Sequence, residues 1–486
     1  MNSLITIVKA LSNDEKRAFI QYLKRKNRRG DTKNIALFKM IDAGKVKDLD
    51  VALYGKPSRN AYHALCKRVQ DSLVDFMASE SFEGETSEEM DILKLLLASR
   101  IFFEKEQYKI AFKTLAKAER KAHGFDLYAI LNEIYHTKIQ YAHLNPSETL
   151  LGIIVKANEN SRRYVQETQL NMAYATIKQQ LTHTRTKSAN AIIKKAFTDF
   201  NIEVSHALTY KSLYQLMNIT TTAAKLQNDY HVISPFMFEI YGMIKAKKDM
   251  IEKHRYYHIK ILHLMAVTNF RNKAFDTSNS FVQRMEIEMD RNKRFYYKRF
   301  LEELTLIKAL NLNYTGKPEP AIQLLEWYRG DSLELRFTLM LFLFQQEEFA
   351  AAYDIFKKMN HSDGWYEKKM GWIWVLKKNV LEILVLIELD KLDLVLVRLR
   401  RFKQKFNLPL KEIKETRVLV FMQLVAVYYE NPVEVTSEKF KARVEKSFEW
   451  KGTDKEDIFV MSFYAWLKAK MEYRSLYKTV LGLVSK

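Results

Sequence analysis

The sequence predicts an all-α chain, and three observations carry that prediction. Glycine and proline are scarce, 13 and 7 in 486 residues, about a third of the ~12% share the two hold in average proteins. Sheet-rich and α/β folds need both residues in many tight turns. The prolines also avoid the apolar-periodic runs: Pro57 opens one, and Pro146, Pro235, Pro318, Pro320, Pro409 and Pro432 fall between others, so none has to break a helix. Finally, apolar residues recur at spacings of three and four through most of the chain, and a 47% hydrophobic content is enough for a large core.

Residues 1–79 form a basic helical module. Ser12 and Glu15 make a capping pair for a helix running to about Lys26, stopped by Gly30-Asp31. Asn34 to Ile41 is a second helix ended by Gly44, Leu49 to Tyr54 a short third closed by Gly55, and Pro57 to Ala78 a longer fourth. Tyr62, Leu65, Val69, Leu73 and Phe76 form the apolar stripe of this last helix. Residues 80–91 are acidic, contain Gly and Ser, and read as a linker. Residues 92–486 read as helix after helix with short turns: Asp126 to His143, Ser147 to about Leu181 as one helix or two, Ser188 to Glu203, Thr209 to Tyr230, and a closing pair at Ile458 to Met471 and Tyr473 to Val484.

A recurring frame runs through this last region. Counted from Leu95, the residues Ala98, Ser99, Phe102, Tyr108, Ala111, Leu115 and Ala118 fall at offsets 3, 4, 7, 13, 16, 20 and 23. The frame returns with Leu262, Met265, Ala266, Phe275, Ser278, Val282 and Met285; with Ala309, Leu312, Ala321, Leu325 and Tyr328; with Leu339, Met340, Leu343, Phe349, Ala352, Phe356 and Met359; and with Leu392, Val395, Leu399 and Phe402. Small residues let two antiparallel helices approach, and large ones fill the gaps between neighbouring pairs. On these residues the chain resembles tetratricopeptide-like helical repeat proteins. The resemblance covers 90–120 and 255–405 well and 125–250 poorly. The small positions 278, 321, 352 and 395 are 43, 31 and 43 apart rather than a regular 34. It implies a right-handed α-solenoid of antiparallel helix pairs, with the N-terminal module as a cap or a helix-turn-helix-like domain.

Motifs for chemistry are missing. The two closest glycines, Gly364 and Gly371, are seven apart, which excludes dinucleotide-binding and Walker loops and the nucleophile elbow. The single cysteine, Cys66, excludes an intrachain disulfide and a cysteine-based zinc site, and it is expected to be a small buried thiol in a reducing, cytoplasmic setting. His254 and His258 lie four apart without an evident third ligand. No apolar run reaches the ~18 residues of a membrane span, and Leu4 to Val8 is too short for a secretory leader. The expectation is a protein that is not an enzyme and uses no cofactor or metal.

A net charge of +21 favours acidic partners. Residues 1–80 carry sixteen Lys plus Arg against nine Asp plus Glu. The candidate anion-binding residues are Lys24, Arg25, Arg28 and Arg29 at the end of the first helix; Arg59, Lys67 and Arg68 on the fourth; and Arg291, Lys293, Arg294, Lys298 and Arg299, where charge alternates with Phe295, Tyr296, Tyr297 and Phe300. A further basic run, Arg398 to Lys405, lies at a helix C-terminus, where cations complement the dipole. The expected function is a protein–protein interaction scaffold that holds a peptide or protein on its helical surface. The alternative is a nucleic-acid-binding regulator that reads its target through residues 1–79 and senses a partner through the repeats.

Overall fold

A computed structural model describes the chain except for residues 1–3, 6, 9–10, 12, 27–31, 45–47, 85–87, 146, 184–188, 203–207, 228–229, 248–250, 413–415, 448–457 and 485–486. The Ser12 cap, the Gly30-Asp31 stop, and Arg28 and Arg29 therefore lie outside the described residues. Among the described residues the secondary structure is helical throughout, with no strand, and helices pack as neighbouring pairs. No helix among them is long and apolar enough to cross a membrane. The chain divides into two compact units, Met1–Tyr164 and Val165–Lys486. The division falls inside a single 34-residue helix, Leu150–His183.

In the first unit, helices Asn13–Lys26, Thr32–Asp42, Leu49–Tyr54 and Arg59–Gly84 share a core of their own. Phe19 sits at its centre, 4.9 Å from the Phe38 ring and 5.3 Å from that of Phe76. The stripe Tyr62, Leu65, Val69, Leu73 and Phe76 is buried as the spacing predicts, and Cys66 is buried beside it. Helix Arg59–Gly84 continues into the stretch read as a linker, and the next helix opens at Glu88. A second core joins helices Glu88–Glu104, Tyr108–Gly124 and Tyr128–Gln140 to the start of Leu150–His183.

In the second unit the pairs are Arg255–Arg271 with Phe275–Arg294, Tyr297–Tyr314 with Pro318–Trp327, Leu333–Gln345 with Phe349–Lys358, and Trp372–Glu388 with Leu392–Glu412. The first helix of each pair also touches the first helix of the next. Ala111, Ser278, Ala321, Ala352 and Val395, the small positions of the frame, are fully buried. Ser278 shows why: its Oγ donates to the Ala266 carbonyl of the partner helix at 2.9 Å, so little room is left for a larger side chain. The uneven spacing also has a cause. Helix Phe275–Arg294 is 20 residues long and Pro318–Trp327 only 10, and an extra helix, Asp363–Met370, is inserted before Trp372. The closing pair, Ile458–Glu472 and Leu476–Val484, returns to much earlier helices: Tyr314 and Ser462 hydroxyls are 2.8 Å apart, and the Trp466 indole N–H donates to Glu388 at 2.6 Å.

The turns explain how so few glycines serve so many helices. Glu106, Asp126, Lys273, Gly316, Glu347 and Asp390 all have left-handed backbone, and each stands two residues before the next helix. Each closes the same double bond: Glu106 N–H to Phe103 O, then Gln107 N–H to Phe102 O, and likewise at Lys273 and Glu347. Only Gly316 is the residue this conformation favours. We expect Glu106→Gly to stabilise the first unit by about 0.5–1 kcal/mol in denaturant unfolding, because the left-handed penalty on an L-residue exceeds the entropy glycine gives back. Glu106→Ala keeps the penalty and brings no such gain.

Three prolines depart from expectation or refine it. Pro318 and Pro320 lie in the first turn of their helix, where their missing N–H groups have no intrahelical role. Pro409 is inside helix Leu392–Glu412, not between segments. The buried side chains of Phe406 and Leu410 hold the last turn to the core on either side of it.

Candidate interaction surfaces

On helix Arg59–Gly84 the face opposite the core carries Arg59, Asn60, His63, Lys67 and Arg68, all exposed. The turn before it is fixed from below: Asp50 accepts the Ser58 N–H at 3.1 Å, and the Tyr54 hydroxyl donates to the Ala61 carbonyl. Arg59, Lys67 and Arg68 form no hydrogen bond or ion pair among the described residues. Beyond Arg68 the same face turns acidic at Asp71 and Asp75. Lys26 binds Asp75 at 2.6 Å, and this hydrogen bond raises the lysine pKa above its ordinary value. Lys24 and Arg25 are exposed at this acidic end, about 24 Å along the helix from Arg59 at 1.5 Å per residue. Lys67 and Arg68 lie nearer, about 10–12 Å along the helix from Asp75.

The second predicted cluster bridges two helices. Arg291 pairs with Glu288 at 3.5 Å and Arg294 with Asp290 at 3.1 Å. Arg294 also lies 3.7 Å from the Tyr297 ring centre, and Arg299 lies 4.7 Å from that of Tyr256. Lys293 and Lys298 are exposed with no such contact among the described residues. Phe300 is core, Tyr296 and Tyr297 are half-buried, and Phe295 is 52% exposed. In the third basic run, Arg398 binds Glu382 at 2.8 Å and Lys405 binds Glu367 at 3.1 Å, around the buried Lys378. Arg398 and Lys405 are thus part of the packing, whereas Arg400, Arg401 and Lys403 are exposed, and the run lies in the middle of helix Leu392–Glu412 rather than at its C-terminus.

Two features of the first unit were not singled out from sequence. Helix Tyr108–Gly124 carries Lys109, Lys113, Lys117 and Arg120 on one exposed face, none of them ion-paired among the described residues. The ridge is about 16 Å long. Its signal, lysine at every fourth residue, was present in the sequence. On the neighbouring helix Glu88–Glu104, Leu93, Leu97 and Ile101 form an exposed apolar stripe, with Leu97 at 56%. Arg100, adjoining the stripe, reaches Glu133 at 2.7 Å and Thr137 at 3.3 Å on helix Tyr128–Gln140. The stripe therefore borders the groove between those two helices.

His254 and His258 are both buried against Tyr210: His254 stacks on the ring, and His258 Nδ1 shares a hydrogen bond with the hydroxyl. Burial, reinforced by Arg291, Arg255 and Arg284, pushes the His258 pKa down to about 4, so the ring is neutral near pH 7. No group of three or more His, Cys, Asp or Glu among the described residues is placed to hold a metal. A polar cleft of about 520 Å³ is lined by Gln345, Gln346, Glu347, Arg474, Ser475 and Tyr477. Its carboxylate, Glu347, accepts the Leu476 N–H at 2.9 Å and so anchors the last helix. Comparison of the chain with protein-family models, curated proteins and solved structures gave no match.

Proposed function

We propose that the protein is a non-catalytic docking protein, a right-handed array of tetratricopeptide-like helix pairs that works in the cytoplasm and holds a protein partner. The observation that carries this reading is the exposed apolar stripe Leu93, Leu97 and Ile101; the next helix separately carries the unpaired ridge Lys109, Lys113, Lys117 and Arg120. Like charges at i,i+4 repel along the ridge and are unfavourable without a counter-charge. The stripe suits the apolar face of an amphipathic helix, and the ridge suits an acidic segment elsewhere on the same partner.

The test is quantitative affinity capture with tagged wild-type chain, Leu97→Asp and Lys113→Glu/Lys117→Glu. The expected result is one stoichiometric protein with wild type, lost with either variant while both variants melt like wild type. The same set of proteins captured by all three chains contradicts the reading. The exposed, unpaired Arg59, Lys67 and Arg68 favour a second reading, nucleic-acid binding by residues 1–79. It predicts duplex DNA or RNA binding that survives physiological salt and weakens with Arg59→Ala.

A further inference from the structure

We infer that the turn between helices Phe275–Arg294 and Tyr297–Tyr314 binds single-stranded nucleic acid, with Phe295 stacking on a base and Lys293, Lys298 and Arg299 holding the flanking phosphates. The site lies in the second unit and is independent of both readings above.

Three observations converge on it. The first is electrostatic. The amide groups of a helix N-terminus form its positive end and favour anions. Helix Tyr297–Tyr314 has no acidic residue in its first turn and no side-chain cap at Tyr296, yet it carries Lys298 and Arg299 there. Cations at the positive end raise the helix's free energy unless an anion sits among them. Arg291, Lys293 and Arg294, at the C-terminus of the preceding helix, fit the opposite dipole end and need no such explanation. The second observation is Phe295. It is 52% exposed between these cations, its ring held edge-on at 4.9 Å by Tyr296. A phenylalanine serving only the core would follow Phe300, which is 1% exposed. The third is backbone. Lys293 and Arg294 are successive left-handed residues, φ 56 and 63, a conformation that L-residues adopt at a penalty. It is the backbone of the two residues that lead directly into Phe295.

An alternation of cation and aromatic ring matches the alternation of phosphate and base in a single strand. Behind the turn the half-buried Tyr256 extends the row: Tyr296 lies 6.1 Å from it, and Arg299 covers its ring. An acidic peptide offers the charges but not the stacking partner. A duplex offers phosphates but keeps its bases stacked inside.

The test is fluorescence anisotropy of the full chain with a labelled 20-nucleotide oligo-uridine at physiological salt, the same length of duplex RNA, and poly-glutamate as a base-free polyanion. The expected result is single-strand binding at least about tenfold tighter than either control. Phe295→Ala should weaken it at least about fivefold, the scale of one lost stacking contact, and Phe295→Trp should restore it. Lys293→Ala/Lys298→Ala should weaken it and flatten its salt dependence. Phe295 is exposed, and circular dichroism with thermal melting confirms that the variants fold. Equal binding of poly-glutamate, an Arg59→Ala/Lys67→Ala/Arg68→Ala chain that loses binding while Phe295→Ala keeps it, or no single-strand binding at 100-fold the concentration of probe would each overturn the inference.

Discussion

Replacing Lys138 with methionine is expected to lower the stability of the first unit by about 3–5 kcal/mol. The side chain is 2% exposed, and its ammonium lies 2.5 Å from Glu119 and binds Glu148 as well. Lys156 completes the cluster from outside, 2.6 Å from Glu148. Removing Lys138 leaves the largely buried Glu119 carboxylate without its main counter-charge, and an unpaired buried charge is among the most destabilising changes a fold can suffer. Two controls separate charge from packing. Lys138→Met with Glu119→Gln and Glu148→Gln should recover most of the loss. Lys156→Met, at a half-exposed position, should lose no more than about 1 kcal/mol. Denaturant unfolding followed at the first unit reads all three. The pH dependence has a definite sign. Burial pushes the Glu148 carboxyl up, but hydrogen bonds from Lys138 and Lys156 outweigh it and hold the pKa below its ordinary value. Its stabilising contribution is therefore present above the unfolded carboxyl pKa and is lost as pH falls through the lower, folded one.

The second large effect is expected at Ala352. It is fully buried in helix Phe349–Lys358, five residues after the left-handed Glu347, as Ser278 follows Lys273 and Ala321 follows Gly316. A small side chain at this position lets the two helices of a pair approach. Ala352→Leu adds three carbons where the facing helix Leu333–Gln345 is already packed, and it should cost about 2–3 kcal/mol. Ala350→Leu, two residues away on the exposed face of the same helix, should change stability by less than about 0.5 kcal/mol. Similar losses at both positions would mean that the small residue does not set the helix separation.

The helices were largely legible in the sequence because their signals are local. Glycine scarcity, apolar spacing and the small residues at 111, 278, 321, 352 and 395 all report on one helix or one pair. The folding back of Ile458–Glu472 onto Tyr314 and Glu388 was not legible, since the contacts that make it lie 148 and 78 positions apart in sequence. Nor were the left-handed turns: Glu106, Lys273 and Glu347 have no intrinsic preference for that conformation, and tertiary packing imposes it. The surfaces divide in the same way. Basic residues could be named from sequence, but Arg294, Arg398 and Lys405 turned out to be held by Asp290, Glu382 and Glu367, partners that a charge count does not reveal. Exposed apolar residues such as Leu97 were hidden among apolar residues of the same helix: the frame at 95–102 catches the buried Ser99, but Leu95, Ala98 and Phe102 are only half-buried and the core is Ile92, Leu96 and Phe103.

Docking through the Leu97 stripe is tested most directly by a photo-crosslinking amino acid placed at position 97, with position 358 as an exposed control in the other unit, followed by irradiation in the native host. A single discrete cross-linked protein from position 97, absent from position 358 and lost when Lys113→Glu/Lys117→Glu is combined with it, is the predicted result. A stripe at position 97 that yields no adduct, or the same adducts as position 358, contradicts it.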